Sequence, residues 1–303
     1  MRDELLLVAR SAGLSVGRLA RGTAVATTDA YPGWDLRESG PTHADRTVLL
    51  LPGGFCTGAF FEDLMAEPSL VDGRTRLVAA TLPGFGRTAP PTDPSMECFA
   101  SLAGTLASDL DADVVVGHSL GANVALEMAA VGRFAGPVVL LSATFSRGDE
   151  EKALRLFDRL GRVPGVGGLA WAALVKALAA AMKGRFPAAR SAALGAALSD
   201  NDPQFCRRMV RQYFEYLDRY GSLVPRLCGA GVDAWVVRGD RDEIGLTDGE
   251  RRGLEACPTV RIVTVPDAAH FVMIDQPART ANLIREVLEG SQAGSGRGSA
   301  QPG

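Results

Sequence analysis

The chain has three histidines, and where they fall relative to one serine and a few carboxylates decides what chemistry is open to it. Residues 117–121 read GHSLG, the G-x-S-x-G pattern of a nucleophile elbow. DVVV before it reads as a strand and ANVALEMAAV after it as a helix. Strand, sharp turn and helix lift a serine out of the backbone at the strand tip. The glycines at 117 and 121 are needed because a Cβ there would strike the adjoining strand or helix. The helix that begins behind Ser119 points its free N–H groups, that of Leu120 first, toward charge developing on a substrate oxygen.

A serine hydroxyl needs a base to become a nucleophile at neutral pH. His43, in the polar loop PTHADR, reads as a surface residue. His118 adjoins Ser119, so its side chain should point the other way and pack or hydrogen-bond beside the elbow. His270, in PDAAHFVMIDQP after the last strand-like run, is the candidate base. Its orienting acid would come from GDRDEI, which offers Asp240, Asp242 and Glu243. Asp242 is preferred, with Asp240 read as a turn residue. Asp267 and Asp275 lie too near His270 along the chain and read as capping or turn residues.

These residues must be held by a scaffold, and the pattern around them describes one. Short apolar runs bounded by Gly or Pro fall at 47–51, 76–81, 113–116, 138–141, 234–237 and 260–265. Continuous rather than alternating apolar character suits strands covered on both faces. Helical patterns fall between them, at 95–110, 122–131, 247–256 and 277–288, and Thr247 with Glu250 forms a capping-box signature. The fold class expected is α/β, an open and mostly parallel sheet flanked by helices. Residues 24–28 and 34–37 read as antiparallel edge strands.

From 145 to 227 only helical pattern is found, read as an α-helical cap inserted between two strands. The core is then residues 1–144 and 228–290, and 291–303 read as a disordered tail. Phe157, Trp171, Leu174, Met182, Phe186, Phe214 and Tyr216 suggest an apolar pocket beneath the cap.

Composition removes several classes. A net charge of −3 argues against a nucleic-acid binder with a basic face. The most apolar stretch, 166–182, carries Lys176 and falls short of the roughly 20 residues a membrane span needs. The N-terminal MRDELLLVARSAG is too weakly apolar for a signal peptide, so a cytoplasmic location is expected. The five cysteines show no CxxC pair and are expected to be free and buried. No metal-ligand cluster is visible, and neither metal nor organic cofactor is expected.

The segments LLLPGGF, LPGFGRT, GHSLGANVALEMA, GDRDEIG and DAAHFVMIDQP together resemble the α/β-hydrolase superfamily, in particular its serine members with a helical cap. The resemblance covers about residues 45–290 and includes the chain order Ser, Asp, His. It implies a Ser119–Asp242–His270 triad, and the match of GxxD to residues 239–242 favours Asp242 over Asp240. It also implies a second oxyanion-hole N–H from the turn after the early strand. The family's usual His-Gly pair is absent there, which leaves Gly54 or Phe55 as the donor. The leading expectation is hydrolysis of an ester or thioester of a small apolar acyl or aryl substrate. A carbon–carbon bond hydrolase or lyase using the same triad, and a ligand-binding protein with negligible turnover, are the rivals. The expected partner is a small-molecule substrate, with homo-oligomerisation left open.

Overall fold

The computed structural model describes residues 15–18, 24–28, 33–182 and 184–295. Among the described residues nine strands form one sheet: β1 (Ser15–Arg18), β2 (Ala24–Thr28), β3 (Asp35–Ser39), β4 (Arg46–Leu51), β5 (Thr75–Thr81), β6 (Val114–His118), β7 (Val138–Leu141), β8 (Ala234–Gly239) and β9 (Val260–Val265). Their spatial order is β1-β2-β3-β5-β4-β6-β7-β8-β9. The pairs from β1 through β3 to β5 are antiparallel, and every pair from β5 and β4 onward to β9 is parallel.

The parallel centre explains the unbroken apolar runs. Along β4 and β6, Leu49, Leu51 and Val115 pack on one face of the sheet, while Val48, Leu50, Val114 and Val116 pack on the other. The first face is covered by α2 (Met96–Asp109) and α3 (Leu120–Ala130), through Phe99, Ala103, Val124 and Met128. The second is covered by α11 (Pro277–Ser295), through Ile284 and Val287. Each central strand therefore needs apolar residues at every position, not every second one.

Between β4 and β5 lie a 3₁₀ turn (Gly58–Phe61) and the short α1 (Glu62–Met65). Between β7 and β8 the chain runs through α4 (Lys152–Gly161), α5 (Gly167–Ala181), α6 (Ala188–Ser199), α7 (Pro203–Tyr220) and α8 (Val224–Gly229). Helix α9 (Asp248–Glu255) starts at the capping box, with Thr247 and Glu250 bonded reciprocally. The short α10 (Val272–Asp275) follows β9. Asn201 fastens the helical block to the sheet's loops, donating to the Phe55 carbonyl at 2.9 Å and accepting from the Gly86 N–H at 3.0 Å.

Three expectations change. Strand β1 was not foreseen, because four residues reading SVGR carry no periodic signal. The last helix continues to Ser295, past the expected end at 288: once nucleated, a helix gains a hydrogen bond per added residue without needing a packing face. Residues 296–303 of the expected tail, and the N-terminal segment through residue 14, lie outside the described residues. Nor are all the cysteines free. Cys228 and Cys257 form a disulfide with Cα atoms 5.7 Å apart, although 29 positions separate them. Gly253 lets α9 come close to α8, where a Cβ would meet Val224 Cγ1 at 2.9 Å, and this draws the two sulfurs together. Cys56, Cys98 and Cys206 are free.

Candidate active site

Ser119 sits between β6 and α3 with φ 49° and ψ −118°, a backbone conformation that costs a non-glycine residue roughly 1–3 kcal/mol. Its N–H donates to the Leu141 carbonyl at 2.8 Å, which ties the elbow to the tip of β7. A Cβ on Gly117 would lie 2.3 Å from the Gly121 carbonyl oxygen. One on Gly121 would lie 2.2 Å from that of Leu51. The turn is thus as tight as the motif demands, against the helix on one side and the end of β4 on the other. Leu120 is the first residue of α3, so its N–H has no partner within the helix.

Gly54 and Phe55 belong to the turn after β4, closed by the Cys56 N–H donating to the Gly53 carbonyl at 3.1 Å. Phe55 has φ 65°, strained for a bulky side chain. Its ring stacks on Trp171, with centroids 6.3 Å apart, which helps hold the turn against α5. Both residues face the cavity that also receives Ser119 and Leu120.

His270 occupies the loop between β9 and α10. Its Nδ1 lies 3.2 Å from Asp242 Oδ1, and Asp242 follows β8. A carboxylate can only accept, so Nδ1 carries the proton and donates it, which leaves Nε2 as the bare nitrogen. Asp242 Oδ1 also accepts from the Ile244 N–H at 3.0 Å. Burial alone would raise the Asp242 carboxyl. Hydrogen bonding and charge from His270, helped by Ser142 and the Ile244 N–H, outweigh it and bring the carboxyl down to about 2. The buried Arg238 guanidinium is 4.0 Å from Asp242 Oδ2 and adds positive charge behind the pair.

The other acids take structural positions. Asp240 accepts from the Ala268 N–H at 3.2 Å and Asp275 from the Ala269 N–H at 2.8 Å, so the two carboxylates shape the loop that carries His270. Glu243 pairs with Arg185 at 3.2 Å. Of the three acids weighed for His270, Asp242 is the one that reaches it.

Two residues that the sequence left without this role meet at the His270 backbone. Its carbonyl accepts from His118 Nε2 at 3.0 Å and from Ser142 Oγ at 3.0 Å. The motif itself marked His118 as a neighbour of the elbow, whereas nothing in the run VVLLS marks Ser142.

Ser119, Gly54, Phe55, Leu120 and His270 open on one cavity of about 350 Å³. Phe157, Leu174 and Met182 line it as expected. Trp171, Phe214 and Tyr216 are instead packed into the core, and Phe186 packs against Phe60 and Phe271. Helical periodicity shows that such residues share an apolar face but not whether that face meets a core or a void.

A family model described as the alpha/beta hydrolase family matches residues 48–283. Among solved structures, a thermophilic esterase from Thermogutta terrifontis is similar at 20% identity and a TM-score of 0.65, with 92% of this chain and 98% of that one covered. A haloalkane dehalogenase, DbeA from Bradyrhizobium elkani, is similar at 16% identity and a TM-score of 0.68, covering 93% and 99%. A thioesterase domain from the curacin biosynthetic pathway is similar at 17% identity and a TM-score of 0.61, covering 89% and 98%. At these identities the likeness is one of fold. No curated protein matches the sequence. Among the described residues no helix is long and apolar enough to cross a membrane.

Proposed function

Because the chain belongs to the alpha/beta hydrolase family, we propose that it is a serine hydrolase cleaving an ester or thioester of a small, largely apolar substrate, with Ser119, His270 and Asp242 as its triad. The observation that carries this reading is the Nδ1–Asp242 bond of His270, on a ring that opens with Ser119 on the same cavity. In the proposed reaction His270 Nε2 takes the Ser119 proton as Oγ attacks the substrate carbonyl. The Leu120 N–H and an N–H of the Gly54–Phe55 turn stabilise the oxyanion. His270 then passes the proton to the leaving group, and a water activated by the same nitrogen hydrolyses the acyl-enzyme. Asp242 keeps the tautomer and stabilises the imidazolium. Helices α4 to α7 act as a cap, supplying the apolar wall that excludes bulk water.

A serine at the elbow, rather than the aspartate that fold-mates with dehalogenase chemistry carry, supports acyl transfer over displacement at carbon. The test is turnover of p-nitrophenyl esters of increasing chain length together with labelling by a fluorophosphonate. Both are expected in the wild type and lost in Ser119→Ala. His270→Ala should lower turnover roughly 10³-fold or more. Labelling without turnover of any ester or thioester would overturn the hydrolase assignment.

A further inference from the structure

Strand β8 reads AWVVRG, and its fifth residue breaks the apolar rule of the parallel centre. Arg238 pairs with Thr264 of β9 and is only 7% exposed, next to the fully buried Val236 and Val237. Among the described residues neither its Nη1 nor its Nη2 meets a hydrogen-bond acceptor, although both are buried. A guanidinium kept in that state is costly, and an apolar side chain of similar volume would avoid the cost. The strand therefore carries this charge for some purpose other than packing.

Its surroundings single out a partner. Arg238 Nη2 is 4.0 Å from Asp242 Oδ2, on a carboxylate side chain that is 1% exposed. Oδ2 is itself buried and receives no donor among the described residues. The other oxygen, Oδ1, takes the His270 Nδ1–H and the Ile244 N–H. The Ser142 hydroxyl gives its single proton to the His270 carbonyl. Three more charged groups act on Arg238: Asp149 from the loop after β7, and Glu250 and Arg251 from α9. Both of these acids are engaged elsewhere. Asp149 Oδ2 accepts from the Phe145 and Ser146 N–H groups, and Glu250 Oε2 from the Thr247 N–H. Burial pulls the guanidinium below the usual arginine range, and Asp242 leads the charges that oppose this. Arginine starts so far above neutrality that the group stays charged. A donor edge without an acceptor thus meets a carboxylate oxygen without a donor.

A general base must be unprotonated before it can take a proton. An ionised Asp242 standing alone behind His270 would favour the protonated ring, which cannot receive the Ser119 proton. A fixed cation on the far side of the carboxylate keeps it ionised and offsets part of its field at the ring. The charge of Glu151 also favours protonation of His270, while His118 is neutral. We infer that Arg238 is a positioning residue of the triad, acting through Asp242 Oδ2 to hold the carboxylate and keep His270 available as the base. The inference rests on the reading of Ser119, His270 and Asp242 as the reacting centre, and an arm without turnover tests it separately.

Arg238→Lys keeps the charge, whereas Arg238→Gln and Arg238→Met remove it, and either neutral variant suffices if the other does not fold. Loss of a cation makes His270 easier to protonate. On a p-nitrophenyl ester the acid limb of kcat/KM should therefore move up by about half a unit to one pH unit in the neutral variants. In Arg238→Lys it should stay within roughly 0.2 unit of the wild type. The second arm follows the His270 imidazole by NMR in the Ser119→Ala background, its resonances assigned by their loss in Ser119→Ala with His270→Gln. Its titration midpoint should rise with Arg238→Gln or Arg238→Met and not with Arg238→Lys. Activity lost equally at every pH, with limb and midpoint unmoved, overturns the inference, because packing alone would do that. A shift in Arg238→Lys as large as in Arg238→Gln overturns it too. A midpoint that responds to the charge in a protein hydrolysing no ester leaves the coupling of Arg238 to Asp242 standing and removes the hydrolase reading. Ester turnover with an unresponsive midpoint does the opposite.

Discussion

His118 Nε2 lies 3.0 Å from the backbone carbonyl of His270, so one imidazole of the elbow steadies the loop that carries the other. A carbonyl can only accept, so Nε2 bears the proton and Nδ1 is bare. Nδ1 faces Gly53, where a Cβ would approach to 2.9 Å. Burial, and the charge of His270, push His118 down to about 3, which leaves it neutral at any pH where the enzyme would work. Its contribution is therefore geometric, shared with Ser142 on the same oxygen. His118→Phe keeps a ring against Phe271 but removes the donor, and Ser142→Ala removes the second donor. Each single variant should lose roughly tenfold in kcat, and the double variant more than the product of the two. The reasoning is that one donor still holds the carbonyl and none does not. Losses that simply multiply, measured on one p-nitrophenyl ester, would count against shared anchoring.

Asp242→Asn should reduce kcat by roughly 10⁴, because an amide can stabilise the wrong imidazole tautomer. It should also change the acid limb of stability. The Asp242 carboxyl is brought down to about 2 from an ordinary value near 3.9. A depressed carboxyl contributes stability that is present above the unfolded value and is lost as pH falls through the folded one. The contribution is about 2.5 kcal/mol. Urea titrations at pH 5 and pH 3 should show the wild type losing more stability on acidification than Asp242→Asn. An equal loss would mean that the carboxylate is not selectively held ionised in the folded protein.

Much of this was legible along the chain, and the exceptions share a cause. The tight turn at GHSLG was legible because backbone collisions at Gly117 and Gly121 leave so few residue types that fit. The sheet was legible because strands buried on both faces must be apolar along their covered length, as in β7 and in β4 from Val48 to Leu51. Asp242 could be preferred over Asp240 from its place in the loop; in the structure Asp240 accepts from the Ala268 N–H, and Asp242 lies beside His270 Nδ1. What stayed hidden depends on how elements approach each other. Ser142 and the His270 carbonyl are 128 positions apart. Phe157 on α4 and Trp171 on α5 each fall in an apolar helical pattern, yet Trp171 is packed in the core and Phe157 faces the cavity. The Cys228–Cys257 link needed the close approach of α8 and α9.

That link carries a measurable consequence. Closing a loop of 29 residues restricts the unfolded chain by about 3–4 kcal/mol in the chain-entropy account. The bridge lies between α8 and α9, and neither sulfur lines the cavity. Reduction should therefore lower the urea midpoint while leaving turnover in dilute buffer intact. The paired variant Cys228→Ala with Cys257→Ala should show the lower midpoint at once and no further response to reductant. A wild-type midpoint indifferent to reductant, with free-thiol titration finding five thiols, would refute the bridge.

The elbow helix is held from behind by an ion pair whose loss should be large. Glu127 on α3 is fully buried, and Arg226 on α8 reaches it with Nη2–Oε1 at 2.6 Å and Nε–Oε2 at 3.0 Å. The Tyr216 hydroxyl on α7 donates to Oε2 at 2.7 Å. Arg226→Met would leave a carboxylate in the core with one hydroxyl donor, a change expected to cost about 3 kcal/mol or more. Converting the partner as well, to Glu127→Gln with Arg226→Met, removes the stranded charge and should recover a good part of that loss. Because α3 carries Ser119 at its N-terminus, the single variant should also lower fluorophosphonate labelling at temperatures below its unfolding transition. Chemical denaturation of the three variants decides the matter. If the double variant is no more stable than Arg226→Met, the penalty comes from lost packing around the Arg226 stem and not from the uncompensated charge.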